Sequence, residues 1–166
     1  MFDGFKELLS AFNVHGVKYL IVGGYAVSFH AQPRATKDLD IFIKAAPENA
    51  HAAYQALASF GAPLDNIHES DLADPQKFIR FGQAPVAIDI LPGISGVNFD
   101  DAWARRIESV IDPGTGLTAF FISRADLIAS KLAAGRMRDL ADVEEIREAE
   151  ASHPASGEQE NAGDAD

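Results

Sequence analysis

Two acids one residue apart, Asp38 and Asp40, interrupt the apolar stretch formed by Leu39 and Ile41-Phe42-Ile43, and this limits the chain's options more than any other feature. Residues two apart on a strand share a face, so both carboxylates would point to the same side. Carboxylates on a segment otherwise suited to burial are costly unless they are paired or metal-bound. A third acid repeats the pattern, with Asp89 inside Val86-Ala-Ile-Asp-Ile-Leu91. Upstream, the apolar run Val17 to Val22 ends at Gly23-Gly24. Paired glycines where a helix begins let the backbone approach a phosphate closely. An isolated Asp-x-Asp is ordinary on an exposed strand; in company with Asp89 and the glycine pair it reads as a site. Three carboxylates converging on one face suit a hard divalent cation such as Mg2+, which points to metal-assisted phosphoryl or nucleotidyl transfer.

The remaining elements follow from periodicity and punctuation. Phe5, Leu8, Leu9 and Phe12 recur at helical spacing, which predicts a helix over residues 2 to 15 stopped at Gly16. Val17 to Val22 reads as a strand, and Tyr25 to His30 as a short helix whose N-terminus carries the glycine pair. A strand over Asp38 to Ile43 follows a loop holding Pro33, Arg34 and Lys37. Pro47 suits the first turn of a helix that runs to Phe60 and stops at Gly61. Residues 62 to 76 read as loop. Lys77 to Phe81 and Val86 to Leu91 read as strands joined by Gly82-Gln-Ala-Pro85, a hairpin. A short helix is predicted over Asn98 to Arg106, then apolar runs at Ser109 to Ile111 and Leu117 to Ile122. Ser123-Arg-Ala-Asp126 resembles a capping box and opens a helical region that breaks near Gly135 and resumes to Glu150. Early alternation of helix and strand, with strands clustered mid-chain, favours an α/β (α+β) fold: a mixed β-sheet flanked by helices.

Composition sets the outer bounds. The chain has 166 residues, 47% of them hydrophobic, enough for one domain with a buried core. That domain is placed at 1–150. Residues 151–166 hold Glu158, Glu160, Asp164 and Asp166 without an apolar face, and read as a disordered acidic tail. A net charge of -11 argues against nonspecific coating of nucleic acid, yet a local basic patch could still grip one nucleotide or an RNA end. No apolar run is long enough to span a membrane. Met1 to Glu7 is acidic and amphipathic without the basic start of a signal peptide, so a cytoplasmic location is expected. The absence of cysteine excludes disulfides, thiolate metal sites and Cys nucleophiles.

The predicted chemistry follows from charge. Asp38 and Asp40 would bridge two Mg2+ ions against a nucleoside triphosphate and an attacking hydroxyl. Asp89 would ligate the metal on the nucleophile's side and is placed to help take its proton. A triphosphate needs nearby cations, and Lys131 is the first candidate because its helix otherwise offers Ile128 and Leu132 to the core. Arg136, with Arg138 close by, and Arg34 and Lys37 just before the acid pair complete the phosphate-binding set. On the bland reading these are solvated helix faces with ion pairs worth a few tenths of a kcal/mol each. The five histidines show no metal-ligand spacing, and His30, nearest the site, reads as a helix-end or core residue.

The order Gly23-Gly24, Asp38-Leu39-Asp40, Asp89 resembles the minimal nucleotidyltransferases of the DNA polymerase β superfamily, over roughly residues 5 to 147. More narrowly, Val22-Gly-Gly-Tyr-Ala-Val27, Arg34-Ala-Thr-Lys-Asp-Leu-Asp40 and Lys131-Leu-Ala-Ala-Gly-Arg-Met-Arg-Asp139 with Asp142 are similar to nucleotidyltransferases related to toxins of bacterial abortive-infection and toxin-antitoxin pairs. The resemblance implies a nucleotidyltransferase fold, Mg2+ dependence, an NTP donor and a Lys131 that reaches the phosphates. The acceptor hydroxyl would lie on an RNA end, a protein or a small molecule. An antitoxin or a second copy in a homodimer would supply what so small a domain lacks. Gly24 departs from the pattern, since many relatives carry Ser there and its hydroxyl contact to phosphate is missing. Two rivals stand beside this reading: a non-catalytic module that binds a nucleotide or a partner, and a phosphohydrolase that uses water as nucleophile.

Overall fold

The computed structural model describes residues 1–83 and 86–153. Among the described residues, thirteen elements follow one another: α1 (Asp3–Val14), β1 (Tyr19–Val22), α2 (Gly23–His30), β2 (Asp38–Ile43), α3 (Pro47–Phe60), α4 (Glu69–Leu72), β3 (Ile79–Gln83), β4 (Val86–Leu91), α5 (Phe99–Ala104), β5 (Ile107–Asp112), β6 (Leu117–Phe121), α6 (Arg124–Ala134) and α7 (Met137–Ser152). The strands form one mixed sheet in the order β3-β4-β2-β1-β6-β5. Pairings alternate in sense across it: β3 with β4, β2 with β1 and β6 with β5 run antiparallel, while β4 with β2 and β1 with β6 run parallel.

Strand alternation divides the core in two. Leu39, Ile41 and Ile43 of β2 join Ile21, Ile88 and Ile90 on one face, where Phe5, Leu8, Leu9 and Phe12 of α1 and Ala53, Ala56 and Leu57 of α3 cover them. Leu20, Val22 and Phe42 turn the other way, against Ala26 and Val27 of α2, Phe99 of α5, Leu127 of α6 and Ile146 of α7. Asp38 and Asp40 share this second face with Phe42, since positions two apart along a strand point alike.

Local signals fix the element ends. Gly61 closes α3 in the left-handed conformation, and Pro47 opens it. Asn49, buried near the start of α3, accepts from the Lys18 backbone and donates to the Lys18 and Lys44 carbonyls, tying the helix to the ends of β1 and β2. The Ser123 side chain accepts from the Asp126 backbone N–H at the start of α6. Gly135, with φ of 68°, separates α6 from α7, a conformation that costs glycine little and other residues more.

Several expectations need correction. The segment 62 to 76 contains the single-turn helix α4, held at its start by the His68 backbone N–H donating to Asp71. Such a helix offers too few turns for a periodic signal. Val17 and Lys18 precede β1 rather than belong to it, and β5 runs from 107 to 112 rather than 109 to 111. Helix α7 continues through Ala151 and Ser152, two residues into the proposed tail. The rest of that tail, 154–166, lies outside the described residues, as do Ala84 and Pro85 of the hairpin connection.

Candidate active site

Register places the acids. Val22 of β1 pairs with Asp40 of β2, Asp40 with Asp89 of β4, and Asp89 with Arg80 of β3, so these four residues form one row across the sheet. Asp38 stands two positions before Asp40 on the same face. A cavity of about 870 Å³ opens beside the row, lined also by residues of α2, α6 and α7. A pocket of this size suits a nucleotide-sized ligand. All nine residues picked from the sequence line this cavity: Gly23, Gly24, Arg34, Lys37, Asp38, Asp40, Asp89, Lys131 and Arg136.

The glycine pair is required by close approach. At Gly23, φ is 63° and a Cβ would sit 2.0 Å from Asp40 Oδ2, so only glycine lets the chain turn into α2 over that carboxylate. At Gly24 a Cβ would lie 2.8 Å from Thr36 Cγ2 and 3.3 Å from Thr36 Oγ1. Thr36 therefore fills the space that a serine at this position would need. Among the described residues no side chain caps α2, whose leading N–H groups lack intrahelical partners and suit an anion.

Asp40 has no cationic partner among the described residues. Burial first, then contact with Asp89 and the charges of Asp89 and Asp38, push its carboxyl up to about 7. A carboxylate so crowded by like charge is a group that a divalent cation would relieve, and the all-oxygen donor set of Asp38, Asp40 and Asp89 fits Mg2+. As placed here, however, no three ligating side chains among the described residues surround a common point. Arg80 intervenes: its Nε donates to Asp89 Oδ1 at 2.8 Å, and its Nη2 donates to Asp89 Oδ2 at 3.0 Å and to Asp38 Oδ2 at 3.2 Å. Asp89 is buried, whereas the Arg80 side chain is half exposed.

The cations on the opposite wall are paired with acids of α7. Lys131, buried on α6, donates to Asp142 Oδ2 at 2.8 Å and lies 3.6 Å from Asp139. Arg34 also donates to Asp142, at 2.7 Å, and Arg136 donates to Asp139 at 2.6 Å. Burial raises the Asp142 carboxyl, but Arg34 and Lys131 together outweigh it and hold the group below the ordinary range. At Asp139 burial is likewise overcome by Arg136 and Lys131. These residues are therefore not a solvated helix face but a linked cluster at the cavity wall. Lys37 lines the cavity from the loop before β2. His30 is buried and donates through Nε2 to the Ile122 carbonyl at 2.7 Å, a core role.

Sequence reasoning missed Arg80 and Thr36. Arg80 was legible in principle: Ile79 and Phe81 alternate with it as Ile88 and Ile90 alternate with Asp89, and the hairpin sets the two polar positions opposite each other. Thr36 gave no such signal, because its contact with Gly24 arises from a loop folding over a helix start.

The chain is similar in structure to the lincosamide antibiotic adenylyltransferase LnuA, solved with lincomycin bound, with a TM-score of 0.55, 16% sequence identity, and coverage of 89% of this chain and 96% of that one. At that identity the likeness establishes the fold. No curated protein matches the sequence. The family described as "Nucleotidyltransferase of unknown function (DUF6036)" matches residues 2–149. With the mixed sheet and the carboxylate row in place, the chain belongs to this nucleotidyltransferase family.

Proposed function

We propose that the chain transfers a nucleoside monophosphate from an Mg2+-bound NTP to an acceptor hydroxyl, with release of pyrophosphate. The observation that carries this reading is that one cavity is lined by Asp38, Asp40 and Asp89, by Gly23 and Gly24 at the start of α2, and by Lys131, Arg136, Arg34 and Lys37. Asp38, Asp40 and Asp89 would hold the metal, as two ions in the form predicted from the sequence. A divalent cation bound there supplies charge against the triphosphate and makes a nearby hydroxyl more acidic. Gly23 and Gly24 let the uncapped start of α2 approach the phosphates, and Lys131 and Arg136 neutralise them. Asp89 accepts the proton of the acceptor hydroxyl, whose oxygen bonds to the α-phosphorus as the bond from that phosphorus to the bridging oxygen breaks. Positioning and charge neutralisation supply most of the rate gain.

The acceptor is an RNA end, a protein hydroxyl or a small molecule. The structural neighbour is a lincosamide antibiotic adenylyltransferase, which makes a small hydroxyl compound one arm of the test. A toxin role, with an antitoxin or a second copy as partner, rests on the motif resemblance alone. The test is incubation of purified protein with Mg2+ and each NTP labelled at the α-phosphate, in a nucleotide-depleted extract and with a panel of small hydroxyl compounds. The Asp38→Ala/Asp40→Ala double variant runs alongside. Label in one acceptor class with wild type only is the expected result. Nucleotide binding without transfer to any acceptor would favour the non-catalytic module, and release of free phosphate or pyrophosphate without labelling would favour the hydrolase.

A further inference from the structure

Arg80 stands where a metal's charge would be needed. It takes both oxygens of Asp89 and one of Asp38, and it does so from an edge strand with its side chain half exposed. Register fixes it directly opposite Asp89, so the contact follows from the sheet itself. The same side chain borders a second cavity, of about 510 Å³, beside Phe78 and Lys77. Lys131, Arg136 and Arg34 pair instead with Asp139 and Asp142, and among the described residues none of the three forms an ion pair with Asp38, Asp40 or Asp89.

From these contacts we infer that Arg80 is a built-in counter-cation that competes with the divalent metal for Asp89 and Asp38. The inference rests on the metal reading of the site given above. In the metal-free protein the guanidinium offsets the repulsion among the carboxylates. A metal ion gathering Asp38, Asp40 and Asp89 would compete with Arg80 for the same charge, because Arg80 holds both oxygens of Asp89 and one of Asp38. Metal alone therefore binds against the resident ion pair. The triphosphate changes the balance, because it adds negative charge to the cavity and gives the displaced guanidinium a new anionic partner. Metal and nucleotide then bind with positive coupling, and Arg80 is the residue that carries it. Chemically, no bond is made or broken in this exchange: one cation replaces another on the same oxygens.

The test measures Mn2+ binding to the full-length protein by electron paramagnetic resonance of the free ion, with and without a non-hydrolysable NTP analogue. Wild type is compared with Arg80→Gln, and circular dichroism checks the fold of each protein. Arg80→Gln is expected to bind Mn2+ alone roughly fivefold or more tightly than wild type, and to lose most of the enhancement that the analogue gives wild type. Equal or weaker Mn2+ binding by folded Arg80→Gln would overturn the inference, since Arg80 would then support the carboxylates rather than compete for them. Should Arg80→Gln not fold, Arg80→Lys keeps the charge with one donor group in place of the fork. It is expected to bind Mn2+ more tightly than wild type, and equal or weaker binding overturns the inference as before. Asp89→Asn distinguishes the two layers of the argument. Binding by wild type that Asp89→Asn abolishes upholds the metal site whatever Arg80 does. No Mn2+ binding by folded wild type, with or without the analogue, overturns the metal reading and this inference with it.

Discussion

One methyl group decides what position 24 can hold. A Cβ there would meet Thr36 Cγ2 at 2.8 Å, closer than unstrained carbon atoms approach, so a side chain at 24 requires Thr36 to shift. Gly24→Ala alone is expected to destabilise the protein by about 1 kcal/mol or more. In combination with Thr36→Ala the penalty should shrink, giving an interaction energy on the order of 0.5–3 kcal/mol. Urea unfolding of the two single variants and the double variant measures it, and simple additivity would mean that Thr36 is not what keeps residue 24 small. Packing against a neighbour 12 positions on thus disfavours a serine at position 24. Gly23 was easier to read: a glycine at the end of a strand and the start of a helix already implies a turn or a close approach, and Asp40 Oδ2 supplies the approach.

Between elements, charge pairs do much of the joining around the site. Arg105, at the C-terminal end of α5, donates to Asp126 in the first turn of α6 at 2.7 and 3.0 Å, and Ser123 donates to the same carboxylate. Arg105 first, then Ser123, holds the Asp126 carboxyl below its ordinary value of 3.8. A carboxyl depressed in the folded state binds protons more readily when unfolded, so its contribution is complete above that value and is lost as the pH falls through the lower folded one. Denaturant titrations between pH 5 and 2 should show wild type losing stability in that acid window, with a shallower loss in Asp126→Asn. Identical slopes would remove Asp126 from the account. On α7, Asp142 serves both Lys131 and Arg34. Asp142→Ala leaves a buried ammonium short of its nearest partner, which should cost about 1–3 kcal/mol in thermal or urea unfolding. Had those cations been a solvated face, the loss would be a few tenths. Sequence periodicity brought out the long elements, because α1, α3 and β2 alternate or repeat strongly. It could not see α4, and it could not see which side of the Lys131 helix would be closed off, since that depends on α7 folding back over it.

Across the whole molecule, the two faces of the sheet carry different duties. One is packed by α1 and α3 into the larger core, while the other leaves a gap in its helical cover where the charged row sits. Leu57, fully buried on α3, belongs to the first duty: Leu57→Ala is expected to lower stability by about 2–5 kcal/mol and leave the nucleotide Kd unchanged at temperatures where the variant stays folded. A parallel fall in affinity would show that the faces are coupled. The fold class was legible because helix and strand signals alternate. The strand order was not, since pairing β2 with β4 in parallel depends on residues far apart in sequence. That pairing also governs when the site can exist. Asp40 and Asp89 are direct neighbours across β2 and β4, yet roughly fifty residues separate them along the chain, a distance whose closure is slow compared with local helix formation. A nascent polypeptide released from the ribosome only as far as α4 would hold the glycine pair and two of the acids without the third. Synthesis itself therefore delays completion of the carboxylate row until β4 has emerged and docked.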